Sequence, residues 1–431
     1  MPRQAVILAA GYGRGLEPIT HTRHKALLPI PGGTLLSHTL SGLARAGVKK
    51  AVIVVHYLAD QVIEEAERIA AEAGVDAGFA EQGKPEGTGH AALKGLERLK
   101  EDEALIINGD TYFSPEDLAK LATSRPWTIA AYEVEDPRRF GVLLLEGGVV
   151  KGVIEKPEEP PSKFVNAGAY VVRVDEFIKE LERLEPSPRG EYEITDAVAS
   201  IAEREGFNPL MVSEWSDVGR PWTYLDLVKK LLAGVSSDIR GEVSPNAELK
   251  GPVYVAEGAV VRHGTVIQGP ALIGPGADIG PNAFIRGPAM VLEGSRVGFS
   301  VELKASIVME SAHAAHLSYI GDSIVCESAN LGAGTVLANL RFDDGEVTYL
   351  VKGRLEGTGR RKFGAVIGGH AKTGVNTSVL PGRWVGAYSW THPGYVVNTP
   401  IPPCTYAYPG GLREVPYCSV DLSVWLSRRQ S

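Results

Sequence analysis

The chain is 431 residues long, longer than one hydrophobic core usually serves, so two domains, or one domain and a repeat array, are expected. A formal net charge of -8 and a pI near 5.8 argue against a nucleic-acid partner, which would call for a basic face or stripe. No apolar run approaches a membrane span, no signal-peptide pattern follows Met1, and the three cysteines, Cys326, Cys404 and Cys418, form no CxxC pair; the expectation is a cytoplasmic protein without membrane association, disulfide framework or structural zinc.

From the start to about residue 230, β-branched runs alternate with amphipathic stretches: "AVILAA", then Thr34 to Ala46, "AVIVVHY", Ala59 to Ala73, and "ALIING". This alternation predicts a mostly parallel sheet covered by helices on both faces. The expected boundaries are a first domain over 1–232, a linker over 233–242 within "LLAGVSSDIRGE", a repeat domain over 243–400 and a C-terminal tail over 401–431.

In the second half, Val243, Leu249, Val255, Val261, Ile267, Ile273, Ile279, Ile285, Val291, Val297 and Leu303 recur every six residues, and all are branched aliphatics. Neither a helix nor a simple strand alternation has that period, whereas a β-helix of hexapeptide repeats needs one inward aliphatic per short strand. The register is lost from Leu340 to Lys362 and resumes at Ile367, so the interruption is expected to be a loop projecting from the coil. The proline-rich and aromatic segment after Pro400 is expected to be a packed extension.

The stretch "GYGRGLEPITHTRHK", Gly11 to Lys25, follows the first apolar run. Glycines at Gly11 and Gly13 let backbone N–H groups approach a phosphate chain, although the spacing is not that of a P-loop. Further along come "EQGKPEGTGHA", "NGDTYF", "DPRRFGV", "IEKP", "VNAGAY" and "WSDVGRPW". In this order the motifs resemble the sugar-1-phosphate nucleotidylyltransferases over roughly residues 4 to 230, which implies a Rossmann-like α/β nucleotidyltransferase domain. By that resemblance Leu8, Ala9, Ala10, Gly11 and Gly13 hold a nucleoside triphosphate, UTP or dTTP, whose base Gln82 and Gly87 read beside Thr88. Gly141, Glu155 and Asn166 meet a sugar 1-phosphate, Asp110 and Asp217 hold Mg2+, and Lys25 supplies a fixed positive charge. The family pattern places an arginine immediately before Leu16 and a proline immediately before Lys25. Here those positions are Gly15 and His24, and Arg14, one residue early, is the arginine available to the triphosphate.

Within the coil, "VELKASIVMESAHAAHLSYIGDSIVCESANLGAGTVLAN" interrupts the apolar repeat with polar residues. It resembles the acetyltransferase half of the bifunctional glucosamine-1-phosphate acetyltransferase/N-acetylglucosamine-1-phosphate uridylyltransferase family, through "HLSYIGD" and "ANLGAGT". The resemblance implies a left-handed β-helix with His316 as general base. Arg286, Lys304, Tyr319, Asn330, Asn339 and, across the longer loop, Lys362 bind the amino-sugar phosphate, and Ala333 lies near acetyl-CoA. His313 is the competing histidine, with the "HLSY" context favouring His316. Lys352, Arg354, Arg360 and Arg361 either meet coenzyme A phosphates or stay solvated. The family's coils act as homotrimers with sites between neighbouring coils.

The expected function is therefore bifunctional: acetylation of glucosamine-1-phosphate or a related amino-sugar 1-phosphate, and transfer of UMP or dTMP to a sugar 1-phosphate, giving UDP-N-acetylglucosamine. Two readings stand beside it, an enzyme that retains one activity because of Gly15 and His24, and a regulatory or scaffolding subunit.

Overall fold

The computed structural model describes residues 2–188 and 190–426. The chain folds as two compact units, one comprising Met1–Tyr12, His24–Leu28 and Gly32–Val218, the other Gly13–Arg23, Pro29–Pro31 and Gly219–Ser431.

The first unit is built on a mixed, mostly parallel sheet. Strands Asp76–Glu81, Lys50–Val55, Gln4–Ala9 and Glu103–Asn108 run parallel in that order, and Phe164–Arg173 lies antiparallel beside Glu103–Asn108. The opening strand shows why the sheet is covered on both sides. Ala5, Ile7 and Ala9 pack into one apolar cluster and Val6, Leu8 and Ala10 into another, all nearly or fully buried. A one-residue slip would exchange the two sets, and each buried Val, Leu or Ile contributes about 1.5–3 kcal/mol, so the register is firmly set. Gln4–Ala9 has neighbours on both sides whose connections run in opposite directions, and its carboxyl end is the switch point where open α/β sheets bind ligands. Gly11 and Lys25 follow this strand, and Asp110 follows its neighbour Glu103–Asn108.

The second unit is the left-handed parallel β-helix. Three sheets stack short strands in which Val255, Ile273 and Val291 form one inward column, Val261, Ile279 and Val297 a second, and Ile267, Ile285 and Leu303 a third. After Leu303 the inward residues are Val308, Ala314, Ile320, Val325, Leu331 and Leu337, so the hexad phase slips by one residue after Leu303 and again after Ile320. The two shortened corners turn through Ala305 (φ 49°) and Asp322 (φ 45°). Ser306 and Ser323, both buried, repair the backbone there: Ser306 Oγ accepts the Ser323 N–H, and Ser323 Oγ accepts the Ala365 N–H. Polar residues thus enter the repeat where a corner loses a residue and its backbone groups need other partners.

The interruption of the coil differs from the expected projecting loop. It is a hairpin of Thr348–Val351 and Arg354–Gly357 whose Tyr349 and Val351 are buried, as is the preceding Val347, while Leu355 is exposed. Tyr349 meets the edges of Trp222 and Phe363 at 5.7 and 5.8 Å, and such apolar residues fold back because solvent exposure would forfeit their burial. After Ile401, Thr405–Tyr408 pairs with Trp390–Thr391 and then with Gly411–Glu414, so this part of the tail extends the coil; residues 427–431 lie outside the described residues.

The cysteine expectation is corrected. The 405–414 hairpin brings Cys404 and Cys418 to a Cα separation of 5.5 Å, and they form a disulfide. Cys326 is free and buried. Spacing along the chain concealed a proximity that only the hairpin creates. No helix among the described residues is long and apolar enough to cross a membrane.

The segment Gly13–Arg23 folds with the coil. Arg23 sits between Glu310 (2.7 Å) and Glu327 (3.4 Å), Thr22 donates to Glu327, and the Tyr349 hydroxyl donates to the Glu17 carbonyl (2.7 Å).

Candidate functional site

Two groups of polar residues stand out, one in each unit. In the first unit, Lys25 opens a short 3-10 turn, Lys25–Leu27, and its Nζ lies 2.6 Å from Asp110 Oδ2, both about four-fifths buried. A Cβ on Gly11 would lie 3.5 Å from that Nζ, so the backbone after the first strand runs alongside the ammonium. Asp110 occupies the turn between Glu103–Asn108 and Thr111–Phe113. Thr111–Phe113 pairs with Trp215–Asp217 so that Asp217 faces Thr111, and the Val218 N–H donates to the Asp110 carbonyl. The two carboxylates therefore stand at neighbouring strand ends. A pair of hard oxygen donors fits a magnesium ion, which takes one or two carboxylates and completes its shell with other oxygens. No group of three or more His, Cys, Asp or Glu arranged for a metal occurs among the described residues.

His24 explains how a non-proline residue precedes Lys25. Its φ of −65° is the value proline would impose, its Nδ1 accepts the Ala26 N–H at 3.1 Å, and its own N–H donates to Gln61 at 3.2 Å. Burial, with the Lys25 charge beside it, pushes the imidazole down to about 3, so it stays neutral and Nδ1 remains an acceptor.

The other residues expected at this site fall into local sets. Leu8, Ala9 and Ala10 are buried and offer only backbone: the Leu8 carbonyl accepts Gly109 N–H and the Ala10 carbonyl Tyr57 N–H. Gln82 is buried and its amide donates to the Gly87 carbonyl at 2.9 Å, while the Thr88 hydroxyl accepts the Ile194 N–H. Gly141 pairs in register with Glu155, and a Cβ on Gly141 would lie 3.0 Å from Glu155 Oε2 and 3.7 Å from the Asn166 Cβ, so these three surround one spot. Gly13 and Arg14 fold with the second unit instead, where Arg14 donates to the Val424 carbonyl at 2.6 Å. Gly15 has no room for a side chain, because a Cβ would run into the Gly219 carbonyl and the Arg220 guanidinium.

In the second unit one sheet stacks Arg286, Lys304 and Gly321 in register, with Tyr319 beside Gly321 and Asn339 just beyond the next strand. A Cβ on Gly321 would lie 2.6 Å from the Tyr319 hydroxyl and 2.8 Å from the Asn339 amide, so only glycine lets these two converge. Burial and the neighbouring Glu302 and Asp322 carboxylates raise the Tyr319 phenol, which keeps its proton and can donate. Arg286 donates to Glu302 at 2.7 Å. Lys362 bridges Leu340 as the hairpin insertion closes, and Phe363 N–H donates to the Asn339 carbonyl, so Lys362 is brought near Asn339 along the backbone.

His316 ends the strand His313–His316 and is exposed at the corner leading to Tyr319. Gly334 N–H donates to its carbonyl, which brings Ala333 to the same corner, whereas Asn330 stands in register with His313. Of the basic residues in the insertion, Arg360 pairs with Asp226 and Arg361 with Asp344, while Lys352 and Arg354 are exposed.

Asp322 was not singled out by the motifs. It is 5% exposed, and its carboxylate receives Lys304, Asn339 and Lys229. The available signal was its place in "YIGD", an acidic residue two positions after the inward-packed Ile320.

The nucleotidyl transferase family model matches residues 4–234. The chain is 40% identical over 409 residues to a bifunctional sugar-1-phosphate nucleotidylyltransferase/acetyltransferase of Sulfurisphaera tokodaii, covering 92% of this chain and 98% of that protein. It is 38% identical to the bifunctional protein GlmU of Methanocaldococcus jannaschii, over 94% of this chain and 97% of that one. A low-salt glycan biosynthesis nucleotidyltransferase of Haloferax volcanii is 33% identical, over 59% of this chain and 73% of its own length. With both units spanned by such relatives, this chain belongs to the family of bifunctional sugar-1-phosphate nucleotidylyltransferase/acetyltransferases.

Proposed function

We propose that the chain performs both reactions of its family: acetyl transfer from acetyl-CoA to glucosamine-1-phosphate or a related amino-sugar 1-phosphate, and transfer of UMP or dTMP from UTP or dTTP to the sugar 1-phosphate. The observation that carries this reading is the pairing of two built sites in one chain, Lys25 with Asp110 beside Asp217 in the first unit and the Arg286, Lys304, Tyr319 and Asn339 face in the second.

At the first site a sugar phosphate oxygen attacks the α-phosphorus, an O–P bond forms, and pyrophosphate leaves. The nucleophile is already ionised, so the protein's task is alignment and charge neutralisation. Lys25 gives a fixed positive charge, Gly11 gives backbone approach, and Gly141, Glu155 and Asn166 orient the sugar. Asp110 and Asp217 would hold Mg2+, which supplies charge neutralisation at the phosphates when bound.

At the second site the acceptor's ammonium must lose a proton before its nitrogen attacks the thioester carbon. His316 takes that proton, the N–C bond forms, the C–S bond breaks, and the second proton lost by the nitrogen goes to the sulfur, so coenzyme A leaves as the thiol. Arg286, Lys304, Tyr319, Asn330, Asn339 and Lys362 hold the sugar phosphate, and Ala333 lies by the acyl carrier. A homotrimer with sites between coils fits the exposed apolar Phe299 and Leu317 beside His316, 43% and 60% accessible, which a neighbouring coil would cover.

A second reading, retention of acetyl transfer alone, is favoured by one observation: Gly15 replaces the expected arginine and Arg14 is engaged by Val424. Both readings are tested by incubating the protein with glucosamine-1-phosphate, acetyl-CoA, UTP and magnesium and following thiol and pyrophosphate separately. Release of both supports the bifunctional reading; thiol without pyrophosphate for any nucleotide supports the second. Neither product across several sugars would leave a scaffold.

A further inference from the structure

Lys229 lies on the helix Pro221–Leu232, outside the hexad coil and outside every motif of the acetyltransferase region. Within the second unit its Nζ is 3.2 Å from Asp322 Oδ1. Lys304 Nζ is 2.5 Å from Oδ2 of the same carboxylate, and Asn339 Nδ2 is 2.6 Å from that oxygen. The Asp322 side chain is 7% exposed and the lysines 24% and 21%.

This arithmetic of charge is uneven. One carboxylate receives two ammonium groups, and the nearby Arg286 is already balanced by Glu302. That leaves a positive charge in excess, and surplus charge in a largely desolvated place is costly unless an anion joins it. Each ammonium has three protons, so both lysines retain donors after meeting Asp322. A phosphate monoester carries between one and two negative charges near neutrality, so it suits the excess positive charge left where two ammonium groups share one carboxylate.

We propose that Lys229 is a further lysine ligand for the phosphate of the amino-sugar 1-phosphate, added to Lys304 and Lys362 and held in place with Lys304 by Asp322. The proposal rests on the acetyl-transfer reading and deepens it. It makes recognition of the phosphorylated acceptor depend on a helix that the hexad repeat does not include. Asp322 is a positioning residue here: its two oxygens fix the separation of the two ammonium groups.

The test measures thiol release from acetyl-CoA by the full chain with varied glucosamine-1-phosphate, in the wild type, Lys229→Gln and Lys229→Arg, alongside the thermal midpoint of each. Lys304 and Asn339 still satisfy Asp322 in these variants, so folding is expected to survive. Lys229→Gln is expected to raise the KM for the sugar phosphate about tenfold or more, with kcat little changed, and to weaken inhibition by inorganic phosphate in parallel. Lys229→Arg is expected to recover most of that loss. An unchanged KM and unchanged phosphate inhibition in Lys229→Gln, whatever its thermal midpoint, overturn the proposal and leave Lys229 as a strut. A wild type that releases no thiol with any amino-sugar 1-phosphate overturns the acetyl-transfer reading itself, and the assignment with it.

Discussion

At the scale of single residues, His24 replaces proline's constraint with hydrogen bonds. That device works only while the imidazole is neutral, and burial lowers both His24 and His21 to about 3. Below about pH 6.5 the unfolded chain takes up protons at these positions that the folded chain refuses, so each contributes stability that is present above 6.5 and lost as pH falls toward 3. Burial lowers His38 as well, with the same sign. Glu17 opposes them. Desolvation raises it to about 7, so it binds a proton in the folded state first and adds stability as pH falls from 7 to 4.5. Thermal midpoints measured between pH 6.5 and 4.5 should therefore fall with acidity; Glu17→Gln should steepen the fall and His24→Gln should flatten it. Opposite changes of slope would refute the assignment. Gly15 yields a different expectation from the one its motif suggests. A side chain there meets the Gly219 backbone and Arg220, so Gly15→Ala should cost about 1–3 kcal/mol and Gly15→Arg should bring no gain in pyrophosphate release. A faster Gly15→Arg enzyme of wild-type stability would refute this.

At the scale of elements, the hexad repeat was readable because the aliphatic at every sixth position is turned into the coil and buried. Its phase slip after Leu303 was not, because a corner shortened by one residue changes neither composition nor hydrophobicity. The tail shows the same limit. Cys404 and Cys418 are 14 residues apart, and their meeting depends on the hairpin Thr405–Tyr408 and Gly411–Glu414. Titration of the denatured, unreduced protein should give a single thiol, that of Cys326; three thiols would contradict the pairing. Closing a loop of this length contributes about 3 kcal/mol in the chain-entropy view.

For the whole molecule, the two groups of site residues belong to separate units and share no partner among the described contacts. Substitutions in one should therefore act independently of the other. His316→Ala is expected to abolish thiol release while pyrophosphate release from UTP with supplied N-acetylglucosamine-1-phosphate stays near wild type, and Asp110→Ala is expected to do the reverse. Loss of both products in either variant would count against two separate sites.

The division between sequence and tertiary structure follows from the range of the forces involved. Periodicity and local chemistry were legible in the chain itself: the β-branched alternation of the first half, the six-residue aliphatic column of the second, and ordered motifs carrying Lys25, Asp110, Asp217 and the Arg286 to Asn339 set. Contacts across long separations had to wait for the fold. The capture of Gly13–Arg23 by Glu310, Glu327 and Tyr349 is one, and the convergence of Lys229, Lys304 and Asn339 on Asp322 is another. Local pattern reports which face of an element is apolar, whereas a charge buried between distant elements is decided by which partners the packed chain brings within a few ångströms.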